Sequence, residues 1–127
     1  RSGAGRSEDV NAVAEGEKAV ELWGTGQARR EFIFGEDFAS ACAFLIENYD
    51  DEGLINIGTG TDITVMDLAL LIKEIAGFNG TITWDASRPD GAMKKLLDSS
   101  RLQAMGWQPK VSLREGLTRT FQAIRRI

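Results

Sequence analysis

The chain has 127 residues, of which 43% are hydrophobic, so it is long enough to bury the core of one compact domain. Its formal net charge of -4 argues against nucleic-acid and membrane-surface partners, because both need a positive field. One cysteine excludes an intrachain disulfide, and the absence of histidine removes the usual zinc sites and the imidazole-dependent triads. No segment reaches the roughly 20 apolar residues of a membrane span, so we expect a cytoplasmic protein.

The first predicted elements surround a glycine turn. Residues 1–18 are rich in Gly, Ser, Ala and acidic side chains and are predicted to form a loose arm. Short strands are predicted at residues 19–23 and 31–34, separated by a turn at Gly24-Thr25-Gly26.

Two helices follow, each with an apolar stripe of helical period. The first begins at Asp37 as its cap and has apolar side chains at Phe38, Ala41, Cys42, Leu45, Ile46 and Tyr49. A short apolar strand is predicted at residues 54–57. Thr64 then caps the second helix, which Gly77 ends.

The last third of the chain predicts one strand and two helices. Residues 81–84 alternate as a strand does, and residues 87–91 form a turn-rich loop. Asp98 or Ser99 caps a short helix that stops at Gly106, and Ser112 with Glu115 forms a capping box for the final helix. The expected fold is a small α/β (or α+β-like) domain over residues 19–127, with four short strands mixed with four helices and no complete Rossmann fold.

Neither a cofactor site nor a catalytic pair is predicted. The turns at Gly24-Thr25-Gly26 and Gly58-Thr59-Gly60 both lack the third glycine of a dinucleotide-binding turn. The only tyrosine, Tyr49, is followed four residues later by Gly53, so a Tyr-x-x-x-Lys dyad cannot be built from it. We therefore predict no catalytic, cofactor-binding or metal-binding residue in this chain.

The cationic residues predict anion recognition. Trp23, Arg29 and Arg30 surround the first glycine turn, and the later loop adds Arg88, Asp90, Lys94 and Lys95. Arginine forks bind phosphate oxygens in pairs, and a tryptophan offers a flat face to a base or sugar. The alternative is that these are solvated surface charges around a core tryptophan.

Two runs of the sequence resemble the GDP-L-fucose synthase family, within the extended short-chain dehydrogenases/reductases. They are WGTGQARREFIFGEDFASACAFLIE and INIGTGTDITVMDLALLIKEIAGFNGTITWDASRPDGAMKKLLDSSRLQAMGWQP. The resemblance implies the C-terminal, substrate-binding portion of an NADP-dependent 3,5-epimerase and 4-reductase. It places the substrate contacts at Trp23, Arg30, Asp90 and Lys95, with NADP held by a portion that has no counterpart in these residues.

Three departures from the family leave two hypotheses. The cofactor-binding portion is not matched, Gly35-Glu36-Asp37 replaces the usual Val-Asp-Asp, and residues before Ala19 do not resemble the family segment. The first hypothesis is a truncated epimerase/reductase that binds GDP-sugar weakly and catalyses nothing alone. The second is a stand-alone binding or oligomerisation module with no enzymatic role. In either case we expect a homo-oligomer, with a dimer as the commonest closed form.

Overall fold

The computed structural model describes residues 19–125, which fold into two small sheets and four helices. Strands β1 (Ala19–Trp23) and β2 (Arg29–Arg30) precede helix α1 (Gly35–Asn48), and β3 (Ile63–Thr64) leads directly into α2 (Val65–Ala76). Then come β4 (Thr81–Asp85), β5 (Lys94–Lys95), α3 (Ser100–Ala104) and α4 (Leu113–Arg125). The predicted small α/β class is confirmed.

The first sheet pairs β1 with β4 in parallel. Ala19 lies opposite Thr81 and Trp23 opposite Asp85, so both strands end at the same edge. Val20 and Phe78 form a buried cluster beneath the sheet, with Leu22 packed against it. The Gly24 N–H donates to the Asp85 carbonyl at 2.9 Å and continues the pairing into the turn.

The second sheet brings three very short strands together in the order β3-β2-β5. Strand β2 pairs with β3 in antiparallel and with β5 in parallel, so the two central arginines lie between two different segments. This small sheet fixes the loop around Lys94 and Lys95 beside the turn that follows β1.

A second apolar cluster lies between α1, α3 and the segment that follows α3. Ala41 of α1, Leu102 of α3 and Trp107 are buried there. The buried Asp37 carboxylate joins α1 to residues 110–111, because it accepts the Lys110 N–H at 3.1 Å and the Val111 N–H at 2.9 Å. Asp37 was predicted to cap α1. The helix instead begins two residues earlier, and Asp37 lies in its first turn.

The capping signals of α2 are confirmed, and the capping box predicted for α4 forms only in its Ser112 half. Thr64 Oγ1 accepts the Asp67 N–H at 3.1 Å, and Gly77 ends α2 in the left-handed conformation with φ 70°. Ser112 Oγ accepts the Glu115 N–H at 3.1 Å, but the Glu115 carboxylate pairs with Arg119 and not with the cap.

Two strand predictions were wrong. Residues 54–57 pair with no strand among those described, although Ile55 and Ile57 still pack against the second cluster. The strand predicted at residues 31–34 lies earlier, at Arg29–Arg30, and β5 occupies a region predicted as loop. A strand needs a partner as well as an apolar pattern, and that partner was not visible in the local sequence.

Candidate functional site

The turn after β1 is built around the carboxylate of Asp90. The Thr25 N–H donates to Asp90 Oδ1 and the Thr25 hydroxyl to Asp90 Oδ2, both at 2.7 Å. Gly24 has φ 95° and Gly26 φ 81°, and a Cβ on Gly24 would collide with Asp90 Oδ1. Both glycines are therefore required by their positive φ, and Gly24 also by the close approach of Asp90.

The hydrogen bonds to Asp90 keep its carboxylate ionised. The Thr25 hydroxyl, followed by the Thr25 backbone N–H, holds the pKa of Asp90 below its ordinary value, and Arg30 adds a smaller effect. A carboxylate that accepts several hydrogen bonds is stabilised in its charged form. Asp90 thus links the glycine turn to the 87–95 loop.

Arg30 holds the same loop from the other side. Its Nη1 donates to the Ala92 carbonyl at 2.6 Å and to the Arg29 carbonyl at 2.8 Å, and its Nη2 to the Asp90 carbonyl at 3.3 Å. Much of the guanidinium is therefore engaged with backbone, so Arg30 positions the loop before it can contact any ligand.

Trp23 ends β1 with 37% of its surface exposed. The Arg88 guanidinium lies over the Trp23 ring at 4.5 Å from its centroid. Arg88 Nε is also 3.6 Å from Asp85 Oδ2, while Asp85 Oδ1 accepts the Ser87 hydroxyl at 2.5 Å. That hydroxyl is the main reason that the pKa of Asp85 is lowered.

Lys95 is exposed on β5, in register with Arg30, and Lys94 is exposed beside Arg29. Arg29 itself is engaged, because its Nε lies 3.0 Å from Asp62 Oδ1. The structure thus brings Trp23, Arg30 and Asp90 together around one turn and places Lys95 in the adjacent sheet. That these four residues bind substrate stays a prediction.

Glu31 was not singled out from the sequence, although it lies between Arg30 and Phe32 in the Arg-Glu-Phe motif. Its Oε2 accepts the Thr59 N–H at 2.8 Å and the Gly60 N–H at 2.9 Å, and its Oε1 accepts the Leu97 N–H at 3.3 Å. The motif therefore places two consecutive side chains, Arg30 and Glu31, against different segments of the chain. The local sequence carries no signal of these contacts, since Glu31 is 28 and 66 residues away from Thr59 and Leu97.

The two glycine turns do not fit the pyrophosphate of a dinucleotide. Such a site needs free backbone N–H groups at the start of a helix. The Thr59 and Gly60 amides already donate to Glu31, and the Thr25 amide donates to Asp90. Tyr49 is also engaged, because its hydroxyl lies 3.1 Å from Arg101 Nη2 and 3.2 Å from the Gly53 carbonyl.

Residues 19–125 contain no group of three acidic or cysteine side chains arranged to hold a metal ion. Among the helices of this part of the chain, none has the length and apolar character that crossing a bilayer requires.

Comparison with known proteins shows which family the chain resembles. The model of the NAD dependent epimerase/dehydratase family matches residues 7–58. GDP-L-fucose synthase 1 of Arabidopsis thaliana is 47% identical over 110 residues, which are 87% of this chain and 34% of that protein. The chain is GDP-L-fucose synthase-like. The resemblance inferred from its sequence to GDP-L-fucose synthases of the extended short-chain dehydrogenase/reductase superfamily is confirmed. The expectation that the residues before Ala19 do not resemble the family was wrong, because the family match begins at residue 7.

Solved structures agree with this GDP-L-fucose synthase-like assignment. A GDP-mannoheptose C4 reductase from Campylobacter jejuni, solved with NADP bound, superposes with a TM-score of 0.76 at 32% identity, over 94% of this chain and 39% of the reductase. A GDP-L-fucose synthetase from Naegleria fowleri, solved with NADP, gives a TM-score of 0.84 over 92% of this chain and 38% of the synthetase. At 19% identity that second likeness shows the fold alone.

The GDP-L-fucose synthase-like chain spans about a third of the length of the curated relatives that it matches. Relatives of this kind include proteins named for GDP-L-fucose and GDP-L-colitose synthesis.

Proposed function

We propose that the chain forms the GDP-sugar-binding part of a GDP-L-fucose synthase-like epimerase/reductase. The observation that carries this is the convergence of Trp23, Arg30 and Asp90 on one glycine turn, with Arg88 and Lys95 beside it. Two segments more than 60 residues apart in the chain are joined there by hydrogen bonds of Asp90 and Arg30.

The local charge supports a nucleoside diphosphate as the ligand. The chain is acidic as a whole, yet Lys94 and Lys95 are both exposed at the loop that Arg30 and Asp90 hold in place. Arg88 adds a third cation at the other end of that loop. A diphosphate needs such point charges, while Asp90 is suited to accept hydrogen bonds from hydroxyl groups or ring N–H groups.

We also propose that residues 1–127 do not complete the reaction alone. Reduction needs a positioned hydride donor, and epimerisation needs proton-transfer groups of tuned pKa. The glycine turns at residues 24–26 and 58–60 do not fit NADP, and the Tyr49 hydroxyl is engaged with Arg101 and backbone carbonyls. NADP and these groups would belong to a nucleotide-binding portion of the kind that the family possesses.

Calorimetric titration of the chain with GDP and GDP-mannose tests this proposal. We expect saturable binding with a dissociation constant of about 0.1 mM or weaker, because a site without the nucleotide-binding portion loses contacts and preorganisation. The same protein should not oxidise NADPH in the presence of the keto-sugar substrate. Absence of any heat of binding at millimolar nucleotide would contradict the proposed GDP-sugar binding. NADPH oxidation in proportion to the protein concentration would contradict the proposal that the chain is inactive alone.

A second candidate function is a stand-alone association module, and one observation favours it. Ile46 at the end of α1 is 84% exposed, and Leu54 in the following segment is 91% exposed. Burial of these side chains in an interface would remove their apolar surface from water. Under either proposal, residues 19–127 form one domain of the substrate-binding type in a cytoplasmic protein. Residues 1–18, which are predicted to form a loose arm, lie outside the described residues.

A further inference from the structure

The arginines near the glycine turn differ in how much of each guanidinium is already engaged. Arg30 donates to three backbone carbonyls, and Arg29 pairs with Asp62 at 3.0 Å. Arg88 is different, because within residues 19–125 its guanidinium contacts only the Asp85 carboxylate and the Trp23 ring. Its nearest charged contact, Asp85 Oδ2, is 3.6 Å from Nε.

The guanidinium of Arg88 is nevertheless held in place. The Trp23 ring supports its plane at 4.5 Å, and Asp85 lies on its Nε side. Asp85 is itself fixed, because Ser87 donates to Asp85 Oδ1 from both its backbone N–H at 3.1 Å and its hydroxyl at 2.5 Å. With its plane and one edge fixed, the fork formed by the two Nη atoms is presented at the surface, where the Arg88 side chain is 54% exposed.

This arrangement changes the role expected of Trp23. The sequence predicted that its ring would offer a face to the base or sugar of a ligand. The structure places Arg88 over that ring, so the face it covers supports a cation instead. A planar, preorganised guanidinium loses less entropy when it binds an anion than a mobile one does.

We propose that Arg88 is an affinity-determining residue that contacts the diphosphate of the GDP-sugar through its Nη fork, with Trp23 as the residue that positions it. This rests on the proposed GDP-sugar-binding function and adds to it a contact that Arg30, turned toward backbone carbonyls, does not supply. Arg30 then acts on the ligand through the position of the 90–92 backbone.

The test is calorimetric titration of the chain with GDP, and with guanosine as the probe that lacks phosphate. Arg88→Ala should weaken GDP binding about tenfold, as expected for one exposed charge-assisted contact, and leave guanosine binding unchanged. Arg88→Lys keeps the charge but not the fork, so it should recover only part of the loss. Arg125→Ala is the matched control, because Arg125 also lies over an aromatic ring, Phe121 at 5.6 Å, but at the far end of α4.

A double-mutant cycle tests the positioning role of Trp23. Trp23→Ala should weaken GDP binding in the wild-type background and much less in the Arg88→Ala background, because the residue that it positions is then absent. Thermal unfolding of each variant shows whether the fold is retained.

The outcomes separate the two proposals. If the wild-type chain binds GDP and Arg88→Ala binds it equally well, the Arg88 assignment is wrong while the GDP-sugar site stands. Equal losses for GDP and guanosine would also overturn it, since the contact would then be to the base. If the wild-type chain binds neither probe, the proposed function fails and the role of Arg88 fails with it.

Discussion

At the scale of single residues, Asp90 shows how a predicted binding residue also holds the site together. Both of its oxygens accept hydrogen bonds from Thr25, and its backbone carbonyl accepts one from Arg30. Asp90 therefore stabilises the turn before any ligand arrives, and its removal would affect stability as well as binding.

We predict that Asp90 contributes to the acid sensitivity of the chain. Its pKa is lowered in the folded state by the hydrogen bonds from Thr25, so its stabilisation is fully present above the ordinary value of 3.8 and is lost as the pH falls through the lower folded value. Asp90→Asn should therefore show a smaller drop in melting temperature than wild type between about pH 6 and about pH 2.5. Asp51→Asn, an exposed carboxylate with no hydrogen-bond partner among residues 19–125, should behave as wild type does. Parallel pH profiles for wild type and Asp90→Asn would refute the role.

Gly24 permits a second residue-scale test, because the structure contains a matched control. Gly24 and Gly77 both have positive φ, at 95° and 70°, but a Cβ on Gly24 would collide with Asp90 whereas one on Gly77 has open space. We expect Gly77→Ala to cost about 1 kcal/mol from backbone strain and Gly24→Ala about 2–4 kcal/mol, measured by urea unfolding. Equal losses of unfolding free energy for the two variants would show that Asp90 does not limit the space at Gly24.

At the scale of elements, Glu31 joins segments that the strands alone do not hold. Strand β2 has only two residues, yet the side chain that follows it accepts backbone N–H groups from the 58–60 turn and from residue 97. These are charge-assisted hydrogen bonds to a half-buried carboxylate, so they stabilise the second glycine turn more than a solvent-exposed contact would.

Glu31→Ala should destabilise the chain by about 1–3 kcal/mol, because three backbone N–H groups lose their acceptor. Amide hydrogen exchange should quicken at Thr59, Gly60 and Leu97 before it does in β1. The control is Glu47→Ala, an exposed glutamate of α1 without a hydrogen-bond partner in the described range, which should change neither quantity. Unchanged exchange rates of the Thr59 and Gly60 amides in Glu31→Ala would mean that the 58–60 turn is stable without the Glu31 carboxylate.

The elements also show which structural features the sequence predicts. The caps of α2 at Thr64 and Gly77 were predicted correctly because each signal lies within a few residues of its acceptor or donor. The strand at residues 54–57 was predicted wrongly because the apolar pattern of these residues does not show whether another strand pairs with them. For the site, the sequence and its resemblance predicted Trp23, Arg30, Asp90 and Lys95. They did not predict that Arg30 donates to backbone carbonyls or that Glu31 accepts hydrogen bonds from the second glycine turn.

At the scale of the whole molecule, the exposed apolar side chains bear on assembly. Ile46 and Leu54 lie at and just beyond the end of α1, and they are the two most exposed large hydrophobic side chains of residues 19–125. Their exposure supports the expectation of self-association, since burying them would remove apolar surface from water.

We predict that the chain associates at micromolar concentration and that Ile46→Lys combined with Leu54→Lys shifts it toward one chain of 13.9 kDa. Leu70→Lys is the control, because Leu70 is 52% exposed but lies on α2. Sedimentation velocity at several concentrations would report the mass. A wild-type mass of a single chain that does not change on concentration would contradict the prediction.

The central claim is that a GDP-sugar binds at the glycine turn and the loop that Asp90 and Arg30 hold against it. Chemical-shift mapping of the isotope-labelled chain during titration with GDP-mannose tests it most directly, since every backbone amide reports separately. We predict saturable shifts concentrated at residues 23–30 and 88–95, with the resonances of Lys110, Val111 and the end of α1 unchanged. Shifts concentrated around Ile46 and Leu54, or none at millimolar ligand, would contradict it.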